Sequence, residues 1–400
     1  MVKFQKKVFN NGLVLLFEKR DLPVVSVAFA VRAGGINENA EEKGISHFIE
    51  HMLYKGTPSR DARKIAEEIE KNGGVLNGFT DEEITAFWCK MPSRHINVAL
   101  EVLGDMVRNP LFDDKEIEKE RKVIFEEIKM RNDNPMIYCA DKINEYLYDG
   151  DFSMSLIGTE KTLKSLNRDK LQKKFKELYQ PNNLILCVVG DANFDNIVAY
   201  IENNFKYGKG TVPQVKFTNK NREGIESREG LTQSNMIFAY HVPLAKDKKS
   251  YAAEILNTIL AEGMSSRLFR EIREKRNLAY SVRGDSMINK DYAYNYIYVG
   301  TNKENIAKVK ELIVEEFQKV AKDLDEKELN QAKDQLIGNY QISTEDSQSQ
   351  MVSLLSYEIA NNAEEYYKYE KEVSQIKIED VKELARKAAE KHSFFALVPK

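Results

Sequence analysis

The stretch His47–Thr57, HFIEHMLYKGT, contains two histidines one helical turn apart with a carboxylate between them. Side chains four residues apart share one face of a helix, so His47 and His51 can converge on one ion while Glu50 lies beside it. Two imidazoles with an adjacent carboxylate can hold zinc and deprotonate a water bound to it. The apolar residues here recur at helical spacing and predict an amphipathic helix; they are Ile45, Phe48, Ile49, Met52 and Leu53.

A third metal ligand has to come from another segment, because catalytic zinc usually has three protein ligands and one open position. Residues 113–131, DDKEIEKERKVIFEEIKMR, begin with aspartate and are rich in helix formers, which predicts a helix. Glu120 and Glu127 are seven residues apart, so they share a face of this helix. Spacing alone leaves Glu120, Glu126 and Glu127 open as the third ligand.

HFIEHMLYKGT followed by ERKVIFEEI resembles the pitrilysin/insulinase family of inverted-motif (HxxEH) zinc metallopeptidases. The chain is most similar to the bacterial single-chain members that resemble mitochondrial processing peptidase, and the resemblance covers nearly its whole length. It implies one zinc ion per chain, held by His47, His51 and Glu127, with Glu50 as the general base. It also implies that Glu120 orients the site from behind the ligands.

The same resemblance extends to two segments that would bind substrate. SSRLFREIREKRNLAYSV at 265–282 is similar to the family segment whose arginine and tyrosine hold a substrate, which implies Arg273 and Tyr280; Arg270 and Arg276 compete for the arginine role. GGVLNGFTDEEITAFWCKM at 73–91 resembles the edge strand that pairs with an extended peptide. Asn77 is its candidate contact residue.

Composition restricts the classes of function and the compartment. The chain has 400 residues and a formal net charge of −3, so no overall basic excess points to nucleic acid or membrane surfaces. MVKFQKKVFNNG is not a secretory signal and no apolar run is long enough for a membrane helix, which predicts a cytoplasmic location. The cysteines are odd in number and widely spaced, which indicates buried reduced thiols; they are Cys89, Cys139 and Cys187.

The order of elements indicates an internal repeat. HFIEHMLYKGT at 47–57 aligns with EILNTILAEGM at 254–264, and DKEIEKERKVIFEEI at 114–128 aligns with EKELNQAKDQLIGNY at 326–340. In the second copy the three ligands, the general base and Glu120 are all replaced. The residues at the positions of His47, Glu50, His51, Glu120 and Glu127 are Glu254, Asn257, Thr258, Ala332 and Asn339.

The repeat predicts an α+β fold of two structurally similar domains, each a mainly antiparallel sheet of about six strands with helices packed on one face. The predicted division is a zinc-bearing domain at 1–206, a linker at 207–231 and a metal-free domain of the same fold at 232–400.

These observations together predict a zinc metalloendopeptidase that hydrolyses peptides or unstructured polypeptide segments inside an enclosed chamber. The resemblance implies that four such domains close the chamber, so a chain with two domains is expected to form a homodimer, or a heterodimer with a related chain. Two alternatives stay open. The chain could be a catalytically silent binding or assembly subunit, or it could process one protein partner rather than degrade peptides in general.

Overall fold

A computed structural model describes residues 3–206, 208–214 and 216–400. The alternating and continuous apolar runs of the sequence form strands, and the charged segments with helical periodicity form helices. The strands are β1 (Lys3–Val8), β2 (Val14–Lys19), β3 (Val24–Val31), β4 (Gly56–Thr57), β5 (Arg60–Asp61), β6 (Val75–Thr80), β7 (Thr85–Pro92), β8 (Tyr148–Asp149), β9 (Leu184–Gly190), β10 (Thr218–Asn219), β11 (Glu223–Arg228), β12 (Ser234–His241), β13 (Ala279–Ile288), β14 (Ala293–Thr301) and β15 (Ser393–Pro399).

The helices follow in the same order. They are α1 (Ile45–Leu53), α2 (Ala62–Glu70), α3 (Ile96–Arg108), α4 (Asp114–Asp133), α5 (Pro135–Lys142), α6 (Asn144–Leu147), α7 (Glu160–Ser165), α8 (Arg168–Leu178), α9 (Phe194–Asn204), α10 (Ser250–Ala261), α11 (Ile306–Asp323), α12 (Glu326–Ser343), α13 (Ser347–Ala360), α14 (Tyr369–Gln375) and α15 (Ile378–Glu390). A π-helical turn covers Phe269–Glu274, and 3-10 turns lie at Gly35–Asn37, Ser93–His95, Asp151–Ser153, Pro181–Asn183, Lys303–Asn305 and Ala363–Lys368.

These elements form two units, and neither unit is a continuous stretch of sequence. The first unit consists of Met1–Ile128, Met154–Lys216 and Ser343–Ile359. The second consists of Lys129–Ser153, Phe217–Ile342 and Ala360–Lys400. Each half of the chain therefore gives one short helical segment to the unit built mainly from the other half.

The first unit contains a six-stranded sheet in the order β1-β2-β9-β3-β7-β6. β2 and β9 are parallel and the other neighbouring pairs are antiparallel, with Phe29 opposite Phe87 in the β3–β7 pair. Val27 and Phe29 of β3 lie in one hydrophobic core with Phe48 of α1 and Leu103 of α3. This core fixes α1 against one face of the sheet, next to β6 and β7.

The other face of this sheet is covered by α13. The hydroxyls of Ser26 and Ser347 are 2.9 Å apart, and the Gln350 amide donates to Glu18 at 2.7 Å. Central strand β3 is consequently buried on both faces, which explains why its sequence VVSVAFAV is almost uninterrupted apolar.

The second unit repeats this plan in a five-stranded sheet, β11-β15-β12-β14-β13. β11 and β15 are parallel and the rest antiparallel, so the order matches β2-β9-β3-β7-β6 of the first unit. On one face Phe238 stacks on Phe317 of α11, with ring centroids 5.5 Å apart. On the other face Cys139 of α5 contacts the Asn235 carbonyl, with an Sγ–O distance of 3.5 Å.

The predicted α+β class and the two similar sheets are confirmed. The prediction of helices on one face is incomplete, because α13 and α5 cover the second faces. The predicted division into 1–206, 207–231 and 232–400 differs from the two units because residues 129–153 belong to the second unit and residues 343–359 to the first. The segment predicted as a linker contains strands β10 and β11, and β11 belongs to the second sheet because it pairs with β15. Residues 207 and 215 of this segment lie outside the described residues.

Two further predictions concern the state of the cysteines and the presence of a membrane-spanning helix. Cys89, Cys139 and Cys187 are buried free thiols, as expected. In the part of the chain that the structure describes, no helix has the length and apolar character needed to cross a membrane.

Candidate metal centre

Helix α1 is held at its N-terminus by a buried carboxylate. Glu38 accepts hydrogen bonds from the backbone N–H groups of Gly44 at 2.8 Å and Ser46 at 2.7 Å, which satisfies donors that a helix start leaves open. Gly44 has a φ of 94°, and a Cβ atom there would lie 2.7 Å from the Ile157 carbonyl oxygen, so only glycine fits. Burial raises the pKa of Glu38 above its ordinary value, although these bonds oppose the rise.

The structure brings His47, His51 and Glu127 together. Glu127 Oε2 lies 3.5 Å from His47 Nε2 and 3.7 Å from His51 Nε2, and the three ligand atoms are all within 4.8 Å of one another. Tetrahedral ligands at zinc–nitrogen and zinc–oxygen bond lengths would be separated by about 3.4 Å. The spacing and the His₂Glu donor set therefore fit a zinc ion with one open position.

Glu120 lies behind this set rather than in it. Its Oε2 is 3.0 Å from His51 Nδ1, and its Oε1 is 2.6 Å from Lys55 Nζ. Burial alone would raise the pKa of Glu120, but the bonds to His51 and Lys55 outweigh burial and lower it. Burial alone would likewise lower the pKa of His51, yet the bonds to Glu120 and Glu127 raise it to about 9. Glu120 thus fixes the orientation of the His51 ring, whose Nε2 faces Glu127.

Glu50 is buried on the same helix, close to strand β6. Thr80 Oγ1 donates to Glu50 Oε2 at 2.7 Å. Opposite the other oxygen lies Gly78, where a Cβ atom would collide with the Tyr54 hydroxyl and lie 3.4 Å from Glu50 Oε1. Burial, the largest effect, raises the pKa of Glu50, while the Thr80 bond opposes the rise. A carboxyl with a raised pKa suits proton transfer near neutral pH.

The contacts of Thr80 and Gly78 with Glu50 were not predicted from the sequence. The alternation of side chains along a strand is the signal that could have indicated them. Residues two apart in a strand point to the same face, so Gly78 and Thr80 face Glu50 together while Asn77 points the other way. Asn77 is exposed on the edge strand, and its Oδ1 accepts a bond from the Gly78 N–H at 2.8 Å. It is therefore a surface residue of the strand.

Arg273 and Tyr280 lie in the second unit and line one cavity of about 550 Å³. Arg273 stacks over the Phe269 ring, with Cζ 4.8 Å from the centroid, and Tyr280 is 50% exposed. Arg276 is engaged by Glu271 in an ion pair, and Arg270 does not line this cavity. The geometry thus favours Arg273 among the three arginines as the partner of Tyr280.

Comparison with known proteins identifies the family. The model described as "Insulinase (Peptidase family M16)" matches residues 13–160, and that described as "Peptidase M16 inactive domain" matches residues 165–336. The "Uncharacterized zinc protease YmxG" of Bacillus subtilis is 32% identical over 348 residues, covering 86% of this chain and 85% of that protein. This chain belongs to peptidase family M16.

Other M16 relatives agree. An "Uncharacterized zinc protease" of Rickettsia felis is 32% identical over 373 residues, covering 92% of this chain and 89% of that protein. The crystal structure of a protease from Helicobacter pylori has a TM-score of 0.91 at 22% identity, covering all of both chains, and so shows the same fold. The resemblance to the pitrilysin/insulinase family is confirmed, and the two relatives from Bacillus subtilis and Rickettsia felis are named zinc proteases.

Proposed function

We propose that this chain is a zinc-dependent endopeptidase that hydrolyses peptides or unstructured polypeptide segments, with Glu50 as the general base. One observation carries the proposal: the nitrogens of His47 and His51 and a carboxylate oxygen of Glu127 converge at zinc-ligand spacing, on the same helix that carries the buried carboxylate of Glu50. The names of the M16 relatives support zinc and peptide-bond hydrolysis.

His47, His51 and Glu127 would hold the ion, and a bound zinc supplies Lewis-acid activation of a water and of the scissile carbonyl. Glu50 takes the proton from the attacking water and then gives it to the leaving amine. Thr80 holds one oxygen of Glu50 by its hydrogen bond, which fixes the direction of the carboxylate. Glu120 keeps the His51 ring oriented toward the ion.

Substrate would bind as an extended strand along β6, whose outer edge has no partner in the six-stranded sheet. Main-chain hydrogen bonds there give binding with little dependence on sequence. Asn77 would contact the peptide, and Arg273 and Tyr280 would donate hydrogen bonds to its carbonyl or carboxylate oxygens. By the family resemblance, the working form is a homodimer whose domains enclose a chamber.

The test compares wild type, Glu50→Gln and the control Glu70→Gln, which changes an exposed carboxylate of α2. Zinc per chain is measured beside cleavage of a quenched unstructured peptide, with and without a chelator. Glu50→Gln should keep about one zinc per chain and lose about 10²- to 10⁴-fold in turnover, while Glu70→Gln keeps both. Turnover retained in Glu50→Gln would refute the assignment of the base.

A silent binding or assembly subunit is the second candidate, because residues 165–336 match a family model described as inactive. That match lies outside His47, Glu50 and His51, which favours the peptidase. Bound zinc without cleavage of any peptide by the wild type would reverse this preference.

A further inference from the structure

A second cavity, of about 340 Å³, lies in the second unit beside helix α10. Three carboxylates line it, those of Glu254, Glu262 and Asp285, and none of the described residues lining it is basic. The apolar side chains of Ile288 and Leu336 form another part of the wall. The cavity is thus strongly acidic on one side and apolar on another.

This cavity occupies the position that the metal centre has in the first unit. In the sequence repeat Glu254 corresponds to His47 and Asn257 to Glu50. The structure repeats the packing as well: a Cβ atom at Gly284 of β13 would collide with Asn257 Oδ1, as a Cβ at Gly78 of β6 would crowd Glu50. The second unit therefore keeps the site's framework with a different set of side chains.

Asn257 is the observation that points to a ligand. Its side chain is 4% exposed, it lines the cavity, and its Oδ1 has no hydrogen-bond partner. The Ser286 hydroxyl, also on the wall, is buried without a partner as well. A buried carbonyl oxygen without a donor is energetically unfavourable, so a donor entering the cavity would be favoured.

The two glutamates already accept some hydrogen bonds from neutral groups. Tyr369 donates to Glu254 Oε2 at 2.7 Å. Thr258 donates to Glu262 Oε2 at 2.6 Å, and Asn339 donates to Glu262 Oε1 at 3.1 Å. These donors orient the carboxylates but bring no positive charge. Burial above all, together with the nearby charge of Glu262, raises the pKa of Glu254 to about 7.

The spacing distinguishes an organic cation from a metal ion. Among the described residues, only His47, His51 and Glu127 bring three histidine, cysteine or acidic ligand atoms within 4.8 Å of one another. Glu254, Glu262 and Asp285 are therefore too far apart to share one small ion. A guanidinium or ammonium on an alkyl stem suits them better, because its donors spread over several acceptors while the stem contacts Ile288 and Leu336.

We propose that this cavity binds an alkyl guanidinium or ammonium group, and that in catalysis the group is an arginine or lysine side chain of the peptide substrate. Its role in catalysis rests on the proposed peptidase function, whereas the binding itself does not. The second unit would then have replaced metal binding by recognition of a basic residue.

The test measures binding to the full-length, zinc-loaded chain carrying Glu50→Gln, which is proposed to bind peptide without cleaving it. Two labelled unstructured peptides differ at one position, arginine in one and its neutral isostere citrulline in the other, and spermidine is the free alkyl cation. The arginine peptide should bind about tenfold tighter, as expected for a charge-assisted hydrogen bond. Adding Glu262→Gln or the exposed change Asp285→Asn should reduce that ratio toward one, and adding the exposed control Glu304→Gln should not.

Equal affinities for the two peptides, with no binding of spermidine that depends on Glu262, would overturn the inference. Spermidine binding that depends on Glu262, without an arginine preference, would support the site and assign it to a free polyamine. An arginine preference in a chain whose wild type cleaves nothing would reject the peptidase proposal and keep this one.

Discussion

Helices α1 and α10 have equivalent positions in two sheets of the same strand order, yet they present different chemistry. In α1 two imidazoles lie next to the Glu127 carboxylate, whereas α10 has a glutamate, an amide and a hydroxyl at the equivalent positions, and Asn339, the counterpart of Glu127, donates to Glu262. The apolar faces of both helices are buried in the same way. Similar packing thus gives the same fold in both units, while a few polar side chains determine that only the first unit has the proposed ligand set.

The largest expected effect comes from removing the second histidine. His51→Ala deletes one of the three proposed ligands, so we expect loss of stoichiometric zinc and of peptidase activity. The matched change Thr258→Ala, at the equivalent position of α10, should leave the zinc content unchanged. Metal analysis after dialysis against a weak chelator checks both. Zinc retained in His51→Ala, or lost in Thr258→Ala, would contradict the assignment of the metal site to the first unit.

A smaller effect is expected at Glu120, whose counterpart in the second unit is Ala332. Glu120→Gln weakens the bond that orients His51 and removes the charge partner of Lys55, so zinc affinity should fall about 10- to 100-fold. Glu116→Gln, a partly exposed change on the same helix, is the control. Competition with a metal-binding dye measures the affinities. Equal affinity in both variants would mean that Glu120 does not support the site.

The smallest effect concerns the acidic counterpart of His47. Since the folded pKa of Glu254 is raised to about 7, the folded chain holds this proton more tightly than the unfolded chain. That stabilisation is full below the ordinary glutamate pKa and is lost as pH rises through about 7. The groups that most affect Glu254 are the Tyr369 hydroxyl and the Glu262 carboxylate, and the Asp285 carboxylate lines the same cavity.

Glu254→Gln does not titrate, so its unfolding temperature relative to wild type should rise between pH 5 and pH 8. Thermal unfolding of both proteins across that range measures the difference, with Glu304→Gln as the control. A difference that stays constant with pH would show that Glu254 titrates alike in the folded and unfolded chains.

The α+β class, the repeat and the pairing of His47 with His51 could be predicted because hydrophobic and helical spacing are visible in the sequence. Glu127 was implied only by the family resemblance, since spacing left Glu120, Glu126 and Glu127 open. The contacts of Thr80 and Gly78 with Glu50 depend on how β6 packs on α1, which local spacing does not specify. The exchanged helices were missed for a similar reason. α4 and α12 read as ordinary helices, and nothing in their periodicity indicates that the next segment crosses to another sheet.

That exchange has a consequence for how the protein is made. Residues 343–359 leave the ribosome late, so the first sheet is translated long before the helix that covers its Ser26 face exists. A fragment ending at residue 206 would leave the Ser26 face of the first sheet exposed and would be prone to aggregation. The two halves are therefore expected to become soluble only when they are synthesised as one polypeptide or refolded together, as in a fragment-complementation experiment.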